Sequence, residues 1–93
     1  MKFYHGCNKN LTQLKAGTYV TKSIRDAQKF GYRRAVMEHS AHVYIMELDI
    51  DIKNLSRDKT RDRAYQLTQD SDCRMVEYYL TFDTPNKLKE FKK

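Results

Sequence analysis

The sequence is poor in residues that bind metals through sulfur. It holds two cysteines, Cys7 and Cys73, with no CxxC spacing and no Cys/His cluster around either. His39 and His42 lie close together in the chain, but no third ligand accompanies them. Zinc sites need three or four such ligands at short spacings. We therefore expect no metal site, while a single disulfide between the two cysteines stays open.

Several signatures of other protein classes are also missing. No stretch approaches the roughly 18 consecutive apolar residues of a membrane span, and the first ten residues, MKFYHGCNKN, lack an apolar signal-peptide core. We therefore expect no membrane partner and, for a Lys-rich chain, a reducing cytoplasmic location. The chain has no P-loop, no glycine fingerprint of a dinucleotide-binding fold and no serine-nucleophile motif. The functions built on those motifs are excluded.

What the chain does have is the composition of one small folded domain. Its 93 residues are 40% hydrophobic and 12% aromatic, which favours a globule over disorder. This length predicts a single domain spanning residues 1–93. The net charge of +6 suits a polyanionic partner: nucleic acid, an acidic protein or the pyrophosphate of a nucleotide. Solubility alone is the other explanation of the charge.

Residue patterns predict four strands and up to three helices. Alternation of apolar and polar residues, together with β-forming composition, marks the strands: Lys2–His5, Thr18–Thr21, His42–Ile52 and Cys73–Asp83. Two short helices are less clearly marked, Arg61–Gln69 and Asn86–Lys92, the second opened by Pro85. This order of elements predicts a small α+β domain.

The best-defined helix is predicted from a cap and a stripe of small residues. Ser23 is followed three residues later by Asp26, which is the spacing of a capping box. The helix is expected to run to about Glu38. One of its faces carries Ile24, Ala27, Gly31 and Ala35, and side chains this small let a helix lie close to a sheet.

Three short motifs contain the residues that are candidates for chemistry. Tyr4-His5-Gly6 ends the first strand, and Gly17-Thr18-Tyr19 opens the second, with Phe30 following on the helix. The last strand carries Glu77 in the run EYYLTFD. Its alternation places Val76, Tyr78, Leu80 and Phe82 on one face, which we expect to be packed. Glu77 would then lie on the other face, and a carboxylate among apolar neighbours is either paired or functional.

In this order the three motifs resemble the H-Y-E class of ADP-ribosyltransferases, the diphtheria-toxin and poly(ADP-ribose) polymerase superfamily. The resemblance covers nearly the whole chain and implies a minimal ADP-ribosyltransferase-like split β-sheet with flanking helices. It implies that the protein binds NAD and transfers ADP-ribose to a macromolecular acceptor, protein or nucleic acid, with release of nicotinamide.

The resemblance also implies a role for each motif. His5 would hydrogen-bond a ribose of NAD, and the Gly6 backbone would hold the nicotinamide carboxamide. Tyr19 and Phe30 would sandwich the nicotinamide ring. Glu77 would bind the nicotinamide ribose and stabilise an oxocarbenium-like transition state, because a carboxylate opposes developing positive charge. The predicted catalytic residues are thus His5, Tyr19 and Glu77.

The chain departs from the family at one binding position. The polymerase-type enzymes carry a serine near the second aromatic residue, where this chain has Ala27. The nearest hydroxyl groups belong to Thr21 and Ser23, which are therefore candidate cofactor-binding residues. Arg33 and Arg34 follow Phe30 and either lie on the surface or neutralise the pyrophosphate of NAD.

Two other functions stay open beside the transferase. One is a catalytically silent module of the same fold that binds NAD, ADP-ribose or a partner protein. The other is a small basic nucleic-acid-binding domain, which the net charge of +6 and the many aromatic residues favour.

Overall fold

The computed structural model describes residues 1–57 and 64–83, which form one helix and eight strands. In chain order these are β1 (Lys2–Cys7), β2 (Gln13–Leu14), β3 (Tyr19–Val20), α1 (Ile24–Met37), β4 (His42–Asp49), β5 (Leu55–Arg57), β6 (Tyr65–Leu67), β7 (Ser71–Asp72) and β8 (Arg74–Leu80). Single turns of 3₁₀ helix cover Ile52–Asn54 and Thr81–Asp83. The mixture of helix and strand confirms the α+β expectation at the level of fold class.

The strands form three small antiparallel sheets. The longest strands make one sheet in the order β1-β4-β8, a second has the order β3-β6-β5, and β2 pairs with β7. The first two sheets meet at the edge of β1, where Tyr4 and Thr21 form one isolated bridge. Beyond that bridge the two sheets separate, and this gap positions the candidate site.

Helix α1 begins where the sequence predicts. Ser23 is its N-cap, and the Ser23 hydroxyl accepts a hydrogen bond from the backbone N–H of Asp26 at 3.2 Å. The helix ends at Met37, one residue before the predicted end. Its small residues lie against the sheet, and Ala27 and Ala35 are fully buried. Burial of this stripe, rather than intrinsic propensity, holds the helix in place.

Gly6 on β1 lets the helix approach so closely. A methyl group at Gly6 would overlap the carbonyl oxygen of Ala27 and would lie 2.5 Å from the backbone nitrogen of Gly31. Only a residue without a side chain fits between this strand and α1. Gly6 therefore has a structural role independent of any ligand.

Two hydrophobic clusters lie on opposite faces of the β1-β4-β8 sheet. Ile45, which opposes Gly6 in the register, packs with α1 on one face. Phe3 and Leu48 oppose each other and pack on the other face, against residues of the second sheet such as Val20 and Leu67. Alternation along β1 therefore directs Gly6 towards the helix and His5 towards the opposite face.

One predicted strand and one predicted helix differ in the structure. The strand predicted over 42–52 ends at Asp49, because the Asp51 side chain accepts a hydrogen bond from the N–H of Lys53 and starts a 3₁₀ turn. In the helix predicted over 61–69, residues 65–67 form β6 instead, since β3 and β5 supply partners on both sides. The helix predicted over 86–92 lies outside the described residues, as do positions 61–63.

The face of the last strand that is packed is the opposite of the predicted one. Val76, Tyr78 and Phe82 are exposed, and Phe82 keeps 73% of its surface accessible. The reason is that β8 is an edge strand, and the face directed at α1 carries Glu77 and Tyr79. The predicted alternation holds from Glu77 to Leu80, but it is interrupted at Val76, where β4 and β8 shift register, and the strand ends before Phe82, which lies in a 3₁₀ turn. The predicted assignment of the faces was wrong.

Candidate functional site

A cleft of about 360 Å³ opens in the gap between β1 and β3. This volume lies within the range of small-molecule sites, roughly 300–1,000 Å³. Its walls come from the end of β1, the turn and strand at residues 17–21, the second half of α1 and the start of β6. The lining residues are Tyr4, His5, Gly6, Gly17, Thr18, Tyr19, Val20, Thr21, Phe30, Arg34 and Ala64. Five predicted site residues meet here: His5, Gly6, Tyr19, Thr21 and Phe30.

The gap exists because β1 and β3 stop pairing after one bridge. The N–H and C=O of Tyr4 bond the C=O and N–H of Thr21 at 2.7 and 2.9 Å. Residues two apart in an antiparallel ladder direct their backbone groups to the same edge, so the N–H and C=O of Gly6 also face β3. Continued pairing would join Gly6 to Tyr19, but in the described part of the chain their backbones form no such bond.

The imidazole of His5 takes the place of that missing bond. Its Nδ1 lies 2.7 Å from the carbonyl oxygen of Tyr19. Because a carbonyl oxygen only accepts hydrogen bonds, Nδ1 must carry the hydrogen, and in the neutral ring Nε2 is then an acceptor. His5 thus occupies the Tyr19 carbonyl and leaves the Gly6 N–H and C=O directed into the cleft.

The environment of His5 keeps its ring neutral. Burial is the largest influence and lowers its pKa below the usual 6.5, and the charge of Arg34 lowers the pKa further. The hydrogen bond to the Tyr19 carbonyl opposes both effects because it favours the protonated ring. The net effect is a lowered pKa, so Nε2 is an acceptor at neutral pH.

Aromatic rings form the walls on both sides of the gap. Tyr19 belongs to β3, and Phe30 belongs to α1, where 46% of its surface is exposed. Gly17, with φ of 92°, makes the turn that brings the chain into β3. The strand and the helix thus each bring one aromatic residue to the lining of the cleft.

Arg34 lies one helical turn after Phe30 and is the one side chain with a standing charge among the described lining residues. Its Nε is 2.7 Å from a carboxylate oxygen of Glu38, and 64% of the Arg34 side chain is exposed. Arg33 is exposed on the same helix but does not line the cleft. Both arginines are therefore on the surface, and Arg34 differs from Arg33 in lining the cleft.

Of the two candidate hydroxyl residues, one lines the cleft and the other does not. Thr21 lines the cleft, and its Oγ1 accepts a hydrogen bond from the N–H of Ser23 at 3.2 Å. Ser23 does not line the cleft, because its hydroxyl caps α1 through Asp26. The expectation that Ser23 binds the cofactor is not supported by this geometry.

Glu77, the predicted catalytic carboxylate, is not brought to the cleft. It lies on β8 opposite Ile45, and Ile45 lies opposite Gly6, so the whole of β4 separates Glu77 from β1. Two strand spacings amount to roughly 10 Å. The Glu77 side chain also faces α1, on the sheet face opposite to His5. The geometry therefore does not support the catalytic role expected for Glu77.

Glu77 instead belongs to a polar network beneath α1. Its Oε1 accepts hydrogen bonds from Nε2 of Gln28 at 2.6 Å and from the hydroxyl of Tyr79 at 2.7 Å. Gln28 is buried, with 8% of its surface exposed. Desolvation, followed by the hydrogen bond to Glu77 and its charge, raises the pKa of Tyr79 to about 12. The network therefore joins α1 to β8 through side-chain hydrogen bonds.

Sequence reasoning missed Gln28 and several lining residues. Gln28 has a signal, because a polar residue at this position interrupts the otherwise apolar face of the helix. Tyr4 belongs to the first motif but was given no role, and Ala64 has no signal, since it lines the cleft only through the meeting of the two sheets. Within residues 1–57 and 64–83, three or more potential ligands never gather as a metal site would require, and no helix there is long and apolar enough to cross a membrane.

Comparisons of the chain with protein-family models, with curated proteins and with solved structures find no match.

Proposed function

We propose that this chain is a small NAD-binding domain of the ADP-ribosyltransferase type, which holds the nicotinamide half of NAD in the gap between β1 and β3. One observation carries the proposal: the backbone N–H and C=O of Gly6 face an open cleft, beside a neutral histidine and two aromatic side chains. The separation of two small sheets at this point supports the split-sheet form of the fold.

The backbone of Gly6 matches the carboxamide of nicotinamide. A primary amide offers one acceptor oxygen and two donor hydrogens, so it pairs with a neighbouring N–H and C=O. A peptide group left open at a sheet edge provides such a pair at fixed spacing. The ligand amide then makes the two hydrogen bonds that Tyr19 would make if the strands continued to pair.

The remaining lining residues suit the rest of the nicotinamide nucleoside. Tyr19 and Phe30 offer faces to the planar ring. Nε2 of His5 accepts a hydrogen bond from a ribose hydroxyl, because Nδ1 is committed to the Tyr19 carbonyl. Each partner is worth about 0.5–1.5 kcal/mol, and together they orient the nucleoside.

Transfer of ADP-ribose from NAD to a macromolecular acceptor is the second function we propose. The grip on the carboxamide favours it, since that amide belongs to the leaving group of the reaction. The reaction also needs stabilisation of positive charge on the ribose. The described lining residues include no carboxylate, and Glu77 lies elsewhere. Binding of NAD is therefore better supported than transfer of ADP-ribose. Of the two alternatives to the transferase, the catalytically silent module is the nearer one.

The test of binding is a calorimetric titration with NAD of the wild type and of two exposed-phenylalanine variants. Phe30→Ala removes a cleft wall, and Phe82→Ala is its matched control outside the cleft. Loss of ring stacking should weaken NAD binding about tenfold in Phe30→Ala, and Phe82→Ala should bind as the wild type does. Equal affinities in all three proteins would reject the cleft as the NAD site.

The test of transfer is nicotinamide release from NAD by the same proteins. Release that is lost in Phe30→Ala and kept in Glu77→Gln would support a transferase that uses this cleft without Glu77. Release abolished by Glu77→Gln in a folded protein would restore the catalytic role for that residue. Salt-dependent oligonucleotide binding without any effect of NAD would favour the nucleic-acid-binding alternative instead.

A further inference from the structure

We infer that Arg34 is the phosphate-recognition residue of the cleft and that the ligand it selects carries a diphosphate. The inference rests on the proposed function for the identity of the ligand, but its geometry stands independently. Apart from Arg34, the described lining residues carry no charge, because His5 is neutral, so the charge of Arg34 dominates the potential in the cleft.

The position of Arg34 places its charge beside the aromatic wall. Phe30 and Arg34 are four residues apart on α1, and side chains at that spacing lie on the same helix face, roughly 5–6 Å apart at Cβ. Both residues line the cleft. A ligand whose ring contacts Phe30 therefore brings its next group along the helix within reach of the guanidinium. In a nucleotide that group is a sugar followed by phosphate.

The charge of Arg34 also acts on the other wall. Burial is the largest influence on both groups, lowering the pKa of His5 and raising that of Cys7, the residue that ends β1, and the charge of Arg34 has a smaller lowering effect on each pKa. Arg34 lines the same cleft as His5 and Gly6 at the end of β1, and its partner Glu38 accepts a hydrogen bond from Asn8, which follows β1. A phosphate in the cleft would therefore meet the charge of Arg34 beside the backbone of Gly6.

Its ion pair leaves Arg34 able to bind an anion. Glu38 engages Nε at 2.7 Å, and a guanidinium has two further nitrogens that each donate two hydrogens. Two such donors fit two phosphate oxygens side by side, which is the geometry that distinguishes arginine from lysine. Glu38 also accepts a hydrogen bond from Nδ2 of Asn8 at 3.2 Å, and so anchors Arg34 to the end of β1. The ion pair with Glu38 thus orients Arg34 and leaves its two terminal nitrogens able to bind an anion.

Arg33 provides a matched control on the same helix. It has the same charge and is exposed, but it does not line the cleft. The experiment titrates wild type, Arg34→Gln and Arg33→Gln with NAD, with inorganic pyrophosphate and with nicotinamide riboside, which has the ring and ribose without phosphate. We expect Arg34→Gln to weaken NAD and pyrophosphate binding about tenfold and to spare nicotinamide riboside, as loss of a charge-assisted pair predicts. Arg33→Gln should leave all three affinities unchanged.

The outcomes separate this inference from the proposed function. NAD binding that is equal in wild type and Arg34→Gln would overturn the role of Arg34 and leave the NAD site standing. Pyrophosphate binding that depends on Arg34, without any binding of NAD or the riboside, would keep the phosphate site and reject the nicotinamide site. Equal losses in both arginine variants would show a general effect of charge and overturn the inference. Arg34→Gln should fold, since an exposed ion pair at this spacing contributes little to stability.

Discussion

Removal of Glu77 should destabilise the fold while leaving the cleft able to bind its ligand. In Glu77→Ala, the amide of Gln28 and the hydroxyl of Tyr79 both lose the oxygen that accepts their hydrogen bonds. A hydrogen bond to a charged group is worth about 1.5–3 kcal/mol, and a buried donor left without an acceptor costs about 1–3 kcal/mol. Tyr79 keeps a hydrogen bond from Nε2 of Gln28 at 3.2 Å, which compensates part of the loss.

The expected net loss is about 2–4 kcal/mol of unfolding free energy. In a domain of this size each kcal/mol shifts the unfolding temperature by roughly 4–8 °C, so a fall of roughly 8–32 °C is expected. Glu77→Gln keeps an oxygen that can accept both hydrogen bonds, and it should lose only about 1 kcal/mol. Thermal and urea unfolding followed by far-ultraviolet circular dichroism measures both values.

The refuting results are definite because stability and binding are measured on the same proteins. An unfolding temperature for Glu77→Ala equal to that of the wild type would show that the network contributes nothing. A normal unfolding temperature combined with lost NAD binding would place Glu77 in the site. The ionisation of Tyr79 gives an independent check. Its pKa of about 12 should fall in Glu77→Gln, measured by tyrosinate absorbance against Tyr79→Phe.

Three further predictions concern β1. His5→Asn should keep a donor for the Tyr19 carbonyl and lose the acceptor Nε2, so that stability changes by less than about 1 kcal/mol while NAD affinity falls about 2–10-fold; equal affinity in calorimetry would remove Nε2 from the site. Gly6→Ala should lower the unfolding free energy by about 1–3 kcal/mol or prevent folding, because a methyl group has no room beneath α1, and a normal urea midpoint would contradict the close packing. The lowered pKa of His5 means that the unfolded chain takes the proton first, so the contribution of His5 to stability is complete above about pH 6.5 and is lost as the pH falls below it. Urea unfolding across this range should show a steeper acid decline in the wild type than in His5→Asn, and parallel curves would exclude His5 as the cause.

The parts of the fold that sequence predicts are those with local causes. The cap at Ser23 and the small residues at Ala27 and Ala35 determine α1 through contacts within a few turns. The alternation along β4 is likewise a property of the segment itself. The short strands β2, β5 and β7 have two or three residues each and depend on partners far away in the chain, so no local pattern predicts them.

The candidate site divides in the same way. His5, Tyr19 and Phe30 could be named from the sequence because each belongs to a predicted strand or to the predicted helix. For β8, alternation shows that Glu77 and Tyr78 point to opposite faces, but it carries no information on which face is covered. That choice depends on where α1 packs, and α1 covers the face with Glu77. A carboxylate among apolar neighbours is therefore as well explained by the buried amide of Gln28 as by catalysis.

The imidazole of His5 and the backbone N–H of Gly6 compete for the carbonyl oxygen of Tyr19. The outcome of this competition determines how wide the cleft is. If the imidazole is removed without a substitute donor, the carbonyl of Tyr19 becomes available to the N–H of Gly6. Strands β1 and β3 can then form one more backbone pair. The two sheets would then be continuous at this edge, and the cleft would close. An alanine at position 5 would thus abolish binding by erasing the cleft, even where the lost contact to the ligand is small. Asparagine, which keeps the strands apart, measures the contact itself.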